Sequence, residues 1–135
     1  MAQATDYTEN KVLEGLINGT QIELSSGKPY IGLLTSAPTD NTGGVECSGQ
    51  GYARVRVGDP SQGSFVIGTA GSATNDDEFR WSDAENAWGS ITHIALYDAA
   101  SGGNMLIYGQ LTSPVEIGTG DIFKVPPSGF TIQID

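Results

Sequence analysis

The spacing of apolar residues changes once along the chain, close to Thr20. Before that point, four apolar side chains recur on one face at helical spacing: Val12, Leu13, Leu16 and Ile17. This spacing predicts an amphipathic helix of about three turns. Asp6, with Glu9 three residues later, predicts a capping box at its start, and Asn18-Gly19 supplies residues that tolerate the left-handed conformation at its end.

After Thr20, apolar residues alternate with polar ones or form short runs between turn residues. This pattern predicts about ten short strands. They are residues 21–24, 29–35, 52–57, 64–67, 78–81, 91–97, 105–110, 115–117, 122–125 and 130–134. Such strands predict a mainly β protein, an antiparallel β-sandwich or jelly roll with one short N-terminal α-helix. The prediction is a single domain over residues 1–135, with an N-terminal arm and helix over 1–19 and the sandwich over 20–135.

The clearest predicted element is a hairpin within residues 88–109. Its apolar residues flank a polar centre: Ile91, Leu96, Met105, Leu106 and Ile107. The centre holds residues typical of tight turns, whose short side chains or positive φ angles suit a chain reversal: Asp98, Ser101, Gly102, Gly103 and Asn104. These residues indicate scaffold rather than catalytic chemistry.

Charge and cysteine content narrow the function classes. With 6 basic and 16 acidic residues the net charge is −10, which repels nucleic acid and anionic membranes. The single cysteine, Cys47, excludes an intramolecular disulfide and is typical of a protein made in a reducing cytoplasm. No apolar run approaches the roughly 18 residues of a membrane span, and the first residues lack a signal-peptide pattern. We therefore expect no nucleic-acid and no membrane partner.

Two of the 6 basic residues lie on one predicted strand, residues 52–57. Alternation places Arg54 and Arg56 on its polar face. They either form local ion pairs on a solvated face or take part in a subunit contact, since arginine is enriched at interfaces. Glu46 and Asp59 are close enough in sequence to be their partners.

Catalytic residues are not evident. His93 is the only histidine, and alternation places it on the same face as Ile91 and Ala95. A half-buried, hydrogen-bonded structural histidine is favoured, because no nucleophile stands in a recognisable motif. Cys47 lies in a loop rich in glycine and serine and far from His93 in sequence, so a thiolate nucleophile is disfavoured. The sequence predicts no catalytic residue and no cofactor.

Oxygen ligands concentrate in Asn75-Asp76-Asp77-Glu78, but the alternating spacing of a calcium loop is absent. A solvated acidic loop is favoured and no metal site is predicted, although cation binding by Asp76, Asp77 and Glu78 stays open. The glycine-rich segment 118–121 lacks the helix and lysine that a phosphate site needs, so it predicts a turn.

The two tryptophans offer the best case for a ligand site. Trp81 and Trp88 flank the acidic segment 82–87, and tryptophans beside carboxylates and amides are typical of carbohydrate recognition. The competing and favoured interpretation is that both rings close the core, because the chain has few other large apolar residues.

Several short segments, taken in order, resemble a known family. They are Tyr30-Ile31-Gly32-Leu33-Leu34, Pro38-Thr39-Asp40, Glu46-Cys47-Ser48-Gly49-Gln50-Gly51-Tyr52-Ala53-Arg54, Gly120-Asp121 and Phe130-Thr131-Ile132-Gln133-Ile134-Asp135. In this order the chain resembles small structural proteins of tailed bacteriophages, described as tail-fibre-like or capsid decoration (cement) proteins. The resemblance spans nearly the whole chain from the helix onward. It implies a part of the virion that is synthesised in the bacterial host cytoplasm.

From these observations we expect a non-enzymatic capsid decoration protein that stabilises the head. It would form a homotrimer on the outer capsid surface and bridge subunits of the major capsid protein. The residues expected at the contact are Val12, Leu13, Leu16, Ile17, Arg54 and Arg56. The alternative is a tail-fibre or tail-tip module that binds host glycan through Trp81 and Trp88, and a small glycan hydrolase is a third, disfavoured hypothesis. Removal of residues 1–19 is expected to abolish attachment and leave the sheets folded.

Overall fold

The computed structural model describes residues 2–24 and 26–133, which form a mainly β fold with one helix near the N-terminus. In chain order the elements are β1 Gln3–Ala4, α1 Asp6–Asn18, β2 Tyr30–Ser36, β3 Val45–Glu46, β4 Val55–Arg56, β5 Phe65–Ile67, β6 Ser72–Asn75, β7 Phe79–Arg80, β8 Gly89–Tyr97, β9 Met105–Ile117, β10 Lys124–Val125 and β11 Thr131–Gln133. The strands of each sheet pair antiparallel and pack as a sandwich. The predicted fold class is confirmed.

The hairpin of β8 and β9 forms the centre of the main sheet, whose order is β1-β9-β8-β2-β3, with β4 also paired to β2. In its turn, Asp98 accepts hydrogen bonds from the backbone N–H of Asn104 at 2.7 Å and from the Asn104 side-chain amide at 3.0 Å. Gly102 and Gly103 have φ angles of 61° and 71°, which glycine adopts without strain. The predicted hairpin and its turn residues are confirmed.

Strand β9 is longer than predicted, because segments 105–110 and 115–117 form one continuous strand. The residues between them include Pro114, which has no backbone N–H to donate. They form a β-bulge in β9, because Ile91 pairs with Val115 but His93 pairs with Gln110, which leaves residues 111–114 without paired partners opposite Thr92. A bulge leaves residues outside the hydrogen-bonded ladder, so proline is accommodated there.

The main core lies between this sheet and two smaller antiparallel sheets, β10-β7 and β11-β6-β5. Its large side chains come from all three sheets and from the segments between them: Ile31, Leu33, Phe79, Trp81, Trp88, Ile91, Ile94, Leu96, Phe123, Val125, Phe130 and Ile132. The rings of Trp81 and Phe123 meet edge to face, with 5.3 Å between their centroids. This aromatic pair stabilises the short β10-β7 sheet, because Trp81 follows β7 and Phe123 precedes β10.

The N-cap of α1 is Thr5 rather than Asp6, so the predicted capping box is wrong. The Thr5 hydroxyl accepts from the N–H of Thr8 and donates to the carbonyl of Met105 at 2.8 Å. Thr5 is buried, and this contact with β9 places its side chain where a cap is needed. The helix ends as predicted, with Gly19 in the left-handed conformation. Among the described residues, no helix has the length and apolar character needed to cross a bilayer.

The N-terminal arm is part of the sandwich. Ala2 is buried in the main core and forms a parallel bridge with Ile132 of β11. The next two residues form β1, which pairs with β9 at the edge of the main sheet. The arm therefore links the main sheet to the β11-β6-β5 sheet. Deleting residues 1–19 removes these core and sheet contacts, so the expectation that the sheets stay folded loses its basis.

Other strand positions differ from the prediction. Residues 21–24 are not a strand, and Ile22 instead lies so close to α1 that a Cβ on Gly15 would stand 2.3 Å from its Cδ1. Strands β1, β3 and β6 are absent from the prediction, because none of them holds a run of large apolar residues. Pairing with neighbours, rather than intrinsic preference, makes them strands. Ile134, at the end of the last predicted strand, lies outside the described residues.

Candidate functional site

The outward face of α1 is the most unusual surface of the fold. Leu13 is 56% exposed, and Leu16 and Ile17 are 75% and 76% exposed. No residue of the helix is fully buried. We call Leu13, Leu16 and Ile17 the helix patch. Adjacent apolar side chains left in water on one helix face are typical of an interaction surface.

The body of the protein contacts α1 along a strip that lies beside the helix patch. The Thr8 hydroxyl donates to the carbonyl of Leu106 in β9 at 2.7 Å. Val12, the fourth apolar residue of the predicted face, lines a groove of about 330 Å³ together with Ile22 and Ile107. Val12 therefore lies at the groove between α1 and the body and is partly covered, whereas the other three residues are exposed.

Acidic side chains border the helix patch. Asp6 and Glu9 lie in the first turn of α1, and its last turn has no basic residue. Glu9 stands four residues before Leu13, which places both on the same side of the helix. The basic residue Lys11 is paired with Glu14 at 3.3 Å. A surface complementary to the helix patch would therefore be apolar and flanked by basic groups.

Arg54 lies in a second notable group of residues, where it is buried rather than solvated, with its side chain 5% exposed. Its guanidinium donates two hydrogen bonds of 2.8 Å to the carboxylate of Glu46. It also donates to the carbonyls of Ala99 and Gly102 in the β8–β9 turn, at 2.7 and 2.9 Å. The guanidinium carbon lies 3.5 Å from the centroid of the Tyr97 ring. Arg54 thus joins β3, β8 and the hairpin turn.

Tyr52 completes this group, which we call the arginine cluster (Glu46, Tyr52, Arg54 and Tyr97). Its hydroxyl donates to Glu46 and accepts from the backbone N–H of Leu33. Burial raises the pKa of Glu46, but the hydrogen bonds from Arg54 and Tyr52 and the charge of Arg54 outweigh it, so the pKa lies below its usual 4.5. Burial and then the hydrogen bond to Glu46 raise the pKa of Tyr52. The cluster therefore consists of the Arg54–Glu46 ion pair and the neutral Tyr52 hydroxyl, which donates a hydrogen bond to Glu46.

Both ion-pair partners proposed from the sequence are correct. Glu46 pairs with Arg54, and Asp59 accepts from Arg56 at 3.1 Å. The Arg56 side chain is 33% exposed and also donates to the carbonyl of Ser26 at 2.9 Å. Of the two alternatives for Arg54, local ion pairs on a solvated face or a subunit contact, the structure contains the ion pair but not the solvation, because its donors are used inside the fold. An interface role for Arg54 and Arg56 stays a prediction, with only Arg56 accessible to a partner in this structure.

Both tryptophans are buried in the main core. Trp88 Nε1 donates to the carbonyl of Gln50 at 2.9 Å, and Gly49 permits this approach because a Cβ there would stand 2.1 Å from Trp88 Cδ1. Trp81 Nε1 has no acceptor among the described residues. Stacking on a sugar needs an exposed ring face, which neither tryptophan offers here. Their burial agrees with the core interpretation, and glycan binding stays a prediction without a visible surface.

His93 does not share a face with Ile91, contrary to the prediction. The β-bulge between them reverses the alternation, so Ile91 and Ile94 face the main core while His93 lies on the side of Ala95. The His93 Nδ1 is 2.8 Å from the Thr92 hydroxyl, and burial lowers the pKa of the imidazole. The half-buried position and this hydrogen bond agree with the predicted structural role.

Cys47 is buried, and burial raises the pKa of its thiol. A raised pKa lowers the thiolate fraction at neutral pH, which disfavours nucleophilic chemistry. In the 118–121 segment, the Asp121 carboxylate accepts from the N–H of Gly118 at 2.8 Å, so this segment is the predicted turn.

The acidic run 75–78 is tied to the fold by its own side chains. The Asn75 side chain is buried and donates to the carbonyls of Asp77 and Pro126, at 2.8 and 2.9 Å. The Asp76 carboxylate accepts from the N–H of Ser64 at 2.8 Å. Within residues 2–24 and 26–133, no group of three or more His, Cys, Asp or Glu side chains is placed to hold a metal ion.

The family model described as "Podophage GP4 fiber I protein gp80" matches residues 3–133. No curated protein matches the chain. Because the match spans nearly all of the chain, the protein belongs to this family. It is therefore a bacteriophage structural protein of fibre-like type and a component of the virion.

Proposed function

We propose that this family member is a non-catalytic subunit of the virion's fibre that docks on its partner through the helix patch. The observation that carries the proposal is the outward exposure of Leu13, Leu16 and Ile17. The description of the family as a fiber protein supports the location. The structural roles of His93 and Cys47 support the non-catalytic part, since both side chains are used by the fold.

Burial of the helix patch supplies a useful but limited binding energy. An aliphatic side chain contributes about 1.5 to 3 kcal/mol when it is fully removed from water. Scaled by their present exposure, the three side chains together contribute roughly 3 to 6 kcal/mol. Association costs about 4 kcal/mol or more in lost freedom of motion. The helix patch therefore needs either polar contacts at its acidic border or several copies bound at once.

A phage carrying Leu13→Glu tests the docking role. Glutamate is a good helix former, so α1 is retained while a charge enters the helix patch. Val45→Glu is the matched control, because Val45 is 57% exposed and lies on a strand. We expect Leu13→Glu to lower the copy number per virion about tenfold or more, and Val45→Glu to leave it unchanged. Circular dichroism verifies that both variants fold, and equal incorporation of the two would refute docking through the helix.

Capsid decoration is the second candidate location. In that case the helix patch contacts the major capsid protein on the outer capsid surface, and the net charge of −10 favours a position away from the genome. The two locations differ in copy number, because a cement protein covers the head whereas a fibre holds few copies. Densitometry and immunogold labelling of virions distinguish them. Label confined to fibres supports the main proposal, and label over the whole head replaces it with decoration.

Two further predictions from the sequence are separate from this proposal. A homotrimer is compatible with docking through the helix patch but is not required by it, and the mass in solution tests it. Host-glycan binding is not included, since Trp81 and Trp88 are buried. A glycan array probed with the purified protein tests that prediction directly.

A further inference from the structure

Strand β5 is an open edge of the β11-β6-β5 sheet, and among the described residues no segment pairs with its outer side. Across the β5–β6 hairpin, Ser64 accepts a backbone hydrogen bond of 2.9 Å and Gly68 donates one of 2.8 Å. Hydrogen bonding alternates along an antiparallel strand, so Val66 also faces β6. The N–H and C=O groups of Phe65 and Ile67 therefore point outward.

The side chains on this edge are apolar and exposed. Val66 is 57% exposed and Ile67 is 77% exposed. Phe65, on the same strand, packs its ring against Phe79 and Phe130, each with 5.5 Å between centroids. The core thus holds β5 firmly in place while its outer side stays in water. A fixed edge with unpaired backbone groups and exposed apolar side chains is a template for another strand.

The β5 edge is also uncharged in a strongly acidic protein. Residues 62–75 include no charged side chain, although the whole protein has 16 acidic residues. Natural edge strands are protected by charged residues, proline, a bulge or short length, and β5 has only its short length of 3 residues. A second copy carries the same net charge of −10 and is repelled by most of this surface. At the uncharged β5 edge, a like-charged copy can approach without placing like charges directly opposite each other.

We propose that β5 pairs antiparallel with β5 of a second copy, about a two-fold axis centred on Val66. In this register Phe65 exchanges both backbone hydrogen bonds with the partner's Ile67, and Ile67 does the same with the partner's Phe65. Val66 faces the partner's Val66, and the partner's Phe65 covers Ile67. The β11-β6-β5 sheet then continues across both copies.

This geometry determines the assembly that results. The same edge is used on both copies, so the assembly contains two copies and this contact cannot generate a trimer. The paired strands are short, so we expect a weak dimer that forms at high protein concentration. Added salt should strengthen it, because salt screens the repulsion between two acidic bodies while the contact itself has no ion pair to lose. Where the helix patch docks as proposed above, the dimer presents two such patches.

Disulfide trapping tests the contact and its register. In a non-hydrogen-bonded antiparallel pair the Cα atoms lie about 4.5 Å apart, within the range that a disulfide spans. Val66→Cys in the full chain should therefore form a covalent dimer of twice 14.1 kDa under mild oxidation. Val45→Cys is the control with equal exposure, and Ile67→Cys is the register control, since Ile67 faces a different residue of the partner.

We expect Val66→Cys to cross-link about tenfold faster than either control, because only this pair is held face to face. All three variants retain the buried Cys47, so any cross-linking through Cys47 is the same in each. A rate for Val66→Cys no greater than that for Val45→Cys would overturn the dimer. Faster cross-linking by Ile67→Cys would overturn the register.

Charge substitution gives an independent measurement by sedimentation velocity. Like charges directly opposite each other destabilise strand pairing, so Val66→Lys alone and Val66→Glu alone should each raise the dimer dissociation constant about tenfold or more. An equimolar mixture of the two should recover the dimer, because opposite charges then face each other. A mixture that stays at 14.1 kDa, or a wild-type protein with the mass of three copies, contradicts the proposal.

Discussion

Replacing Arg54 by methionine should destabilise this fold far more than the same change at Arg56, two residues away. Arg54→Met removes the two hydrogen bonds to Glu46, those to Ala99 and Gly102 in the β8–β9 turn, and the contact with the Tyr97 ring. It also leaves the Glu46 carboxylate without its counter-ion. Methionine retains much of the aliphatic volume, so lost polar contacts rather than a cavity dominate the result.

The magnitude follows from burial. Breaking one side of a buried ion pair costs about 3 to 5 kcal/mol. Glu46 is 27% exposed and regains some hydration, so we expect a loss of about 2 to 4 kcal/mol in the free energy of unfolding. In the control, Arg56 and Asp59 are 33% and 44% exposed, and such pairs contribute about 0 to 1 kcal/mol. The expected decrease in Tm is about 6 to 15 °C for Arg54→Met and below about 5 °C for Arg56→Met.

Urea unfolding followed by circular dichroism, repeated from pH 7 to pH 3, is the measurement. The folded-state pKa of Glu46 lies below its usual 4.5, so its contribution is present above pH 4.5 and is lost as pH falls through the folded-state pKa. The stability difference between wild type and Arg54→Met should narrow over that range. Equal losses for the Arg54 and Arg56 variants, or a difference that widens in acid, would refute the role of the arginine cluster.

Three smaller predictions concern the buried side chains. His93→Ala should lower the free energy of unfolding by about 1 kcal/mol and leave virion assembly intact, as measured by urea unfolding and particle yield. Trp88→Phe should cost about 1 kcal/mol more than Trp81→Phe, because only Trp88 loses a hydrogen bond, and the reverse order in urea midpoints would contradict this. The Cys47 thiol should react with a thiol reagent only as fast as the fold opens, so the reaction rate should rise with urea, and immediate labelling of native protein would be inconsistent with its burial.

Local patterns in the sequence were sufficient for several features. The alternation on both sides of Asp98 to Asn104 predicted the β8–β9 hairpin, because turn residues and strand periodicity act over neighbouring positions. Glycine after Asn18 predicted the end of the helix for the same reason. Short sequence separation also made Glu46 and Asp59 reasonable partners for the two arginines.

Features that depend on distant contacts were missed or assigned wrongly. The cap of α1 is Thr5 because its hydroxyl reaches β9, far along the chain. The bulge that places residues 111–114 opposite Thr92 leaves His93 on the other face of β8 from Ile91. Tyr97 belongs to the arginine cluster, but nothing near Arg54 in sequence signals this. Strand β6 has no large apolar residue and becomes a strand through pairing on both sides.

Helix α1 shows most clearly which features depend on local sequence and which depend on distant contacts. The sequence by itself determined that α1 forms and that Leu13, Leu16 and Ile17 share a face, because helical periodicity is a local property. Only the tertiary structure decided that this face points to solvent. The Thr8 hydroxyl binds the helix to β9, and the main core is filled by other side chains, Trp81 and Trp88 among them. Periodicity shows which side chains lie together, but which surface they meet depends on how the sheets close, and that is determined by contacts between residues far apart in the chain.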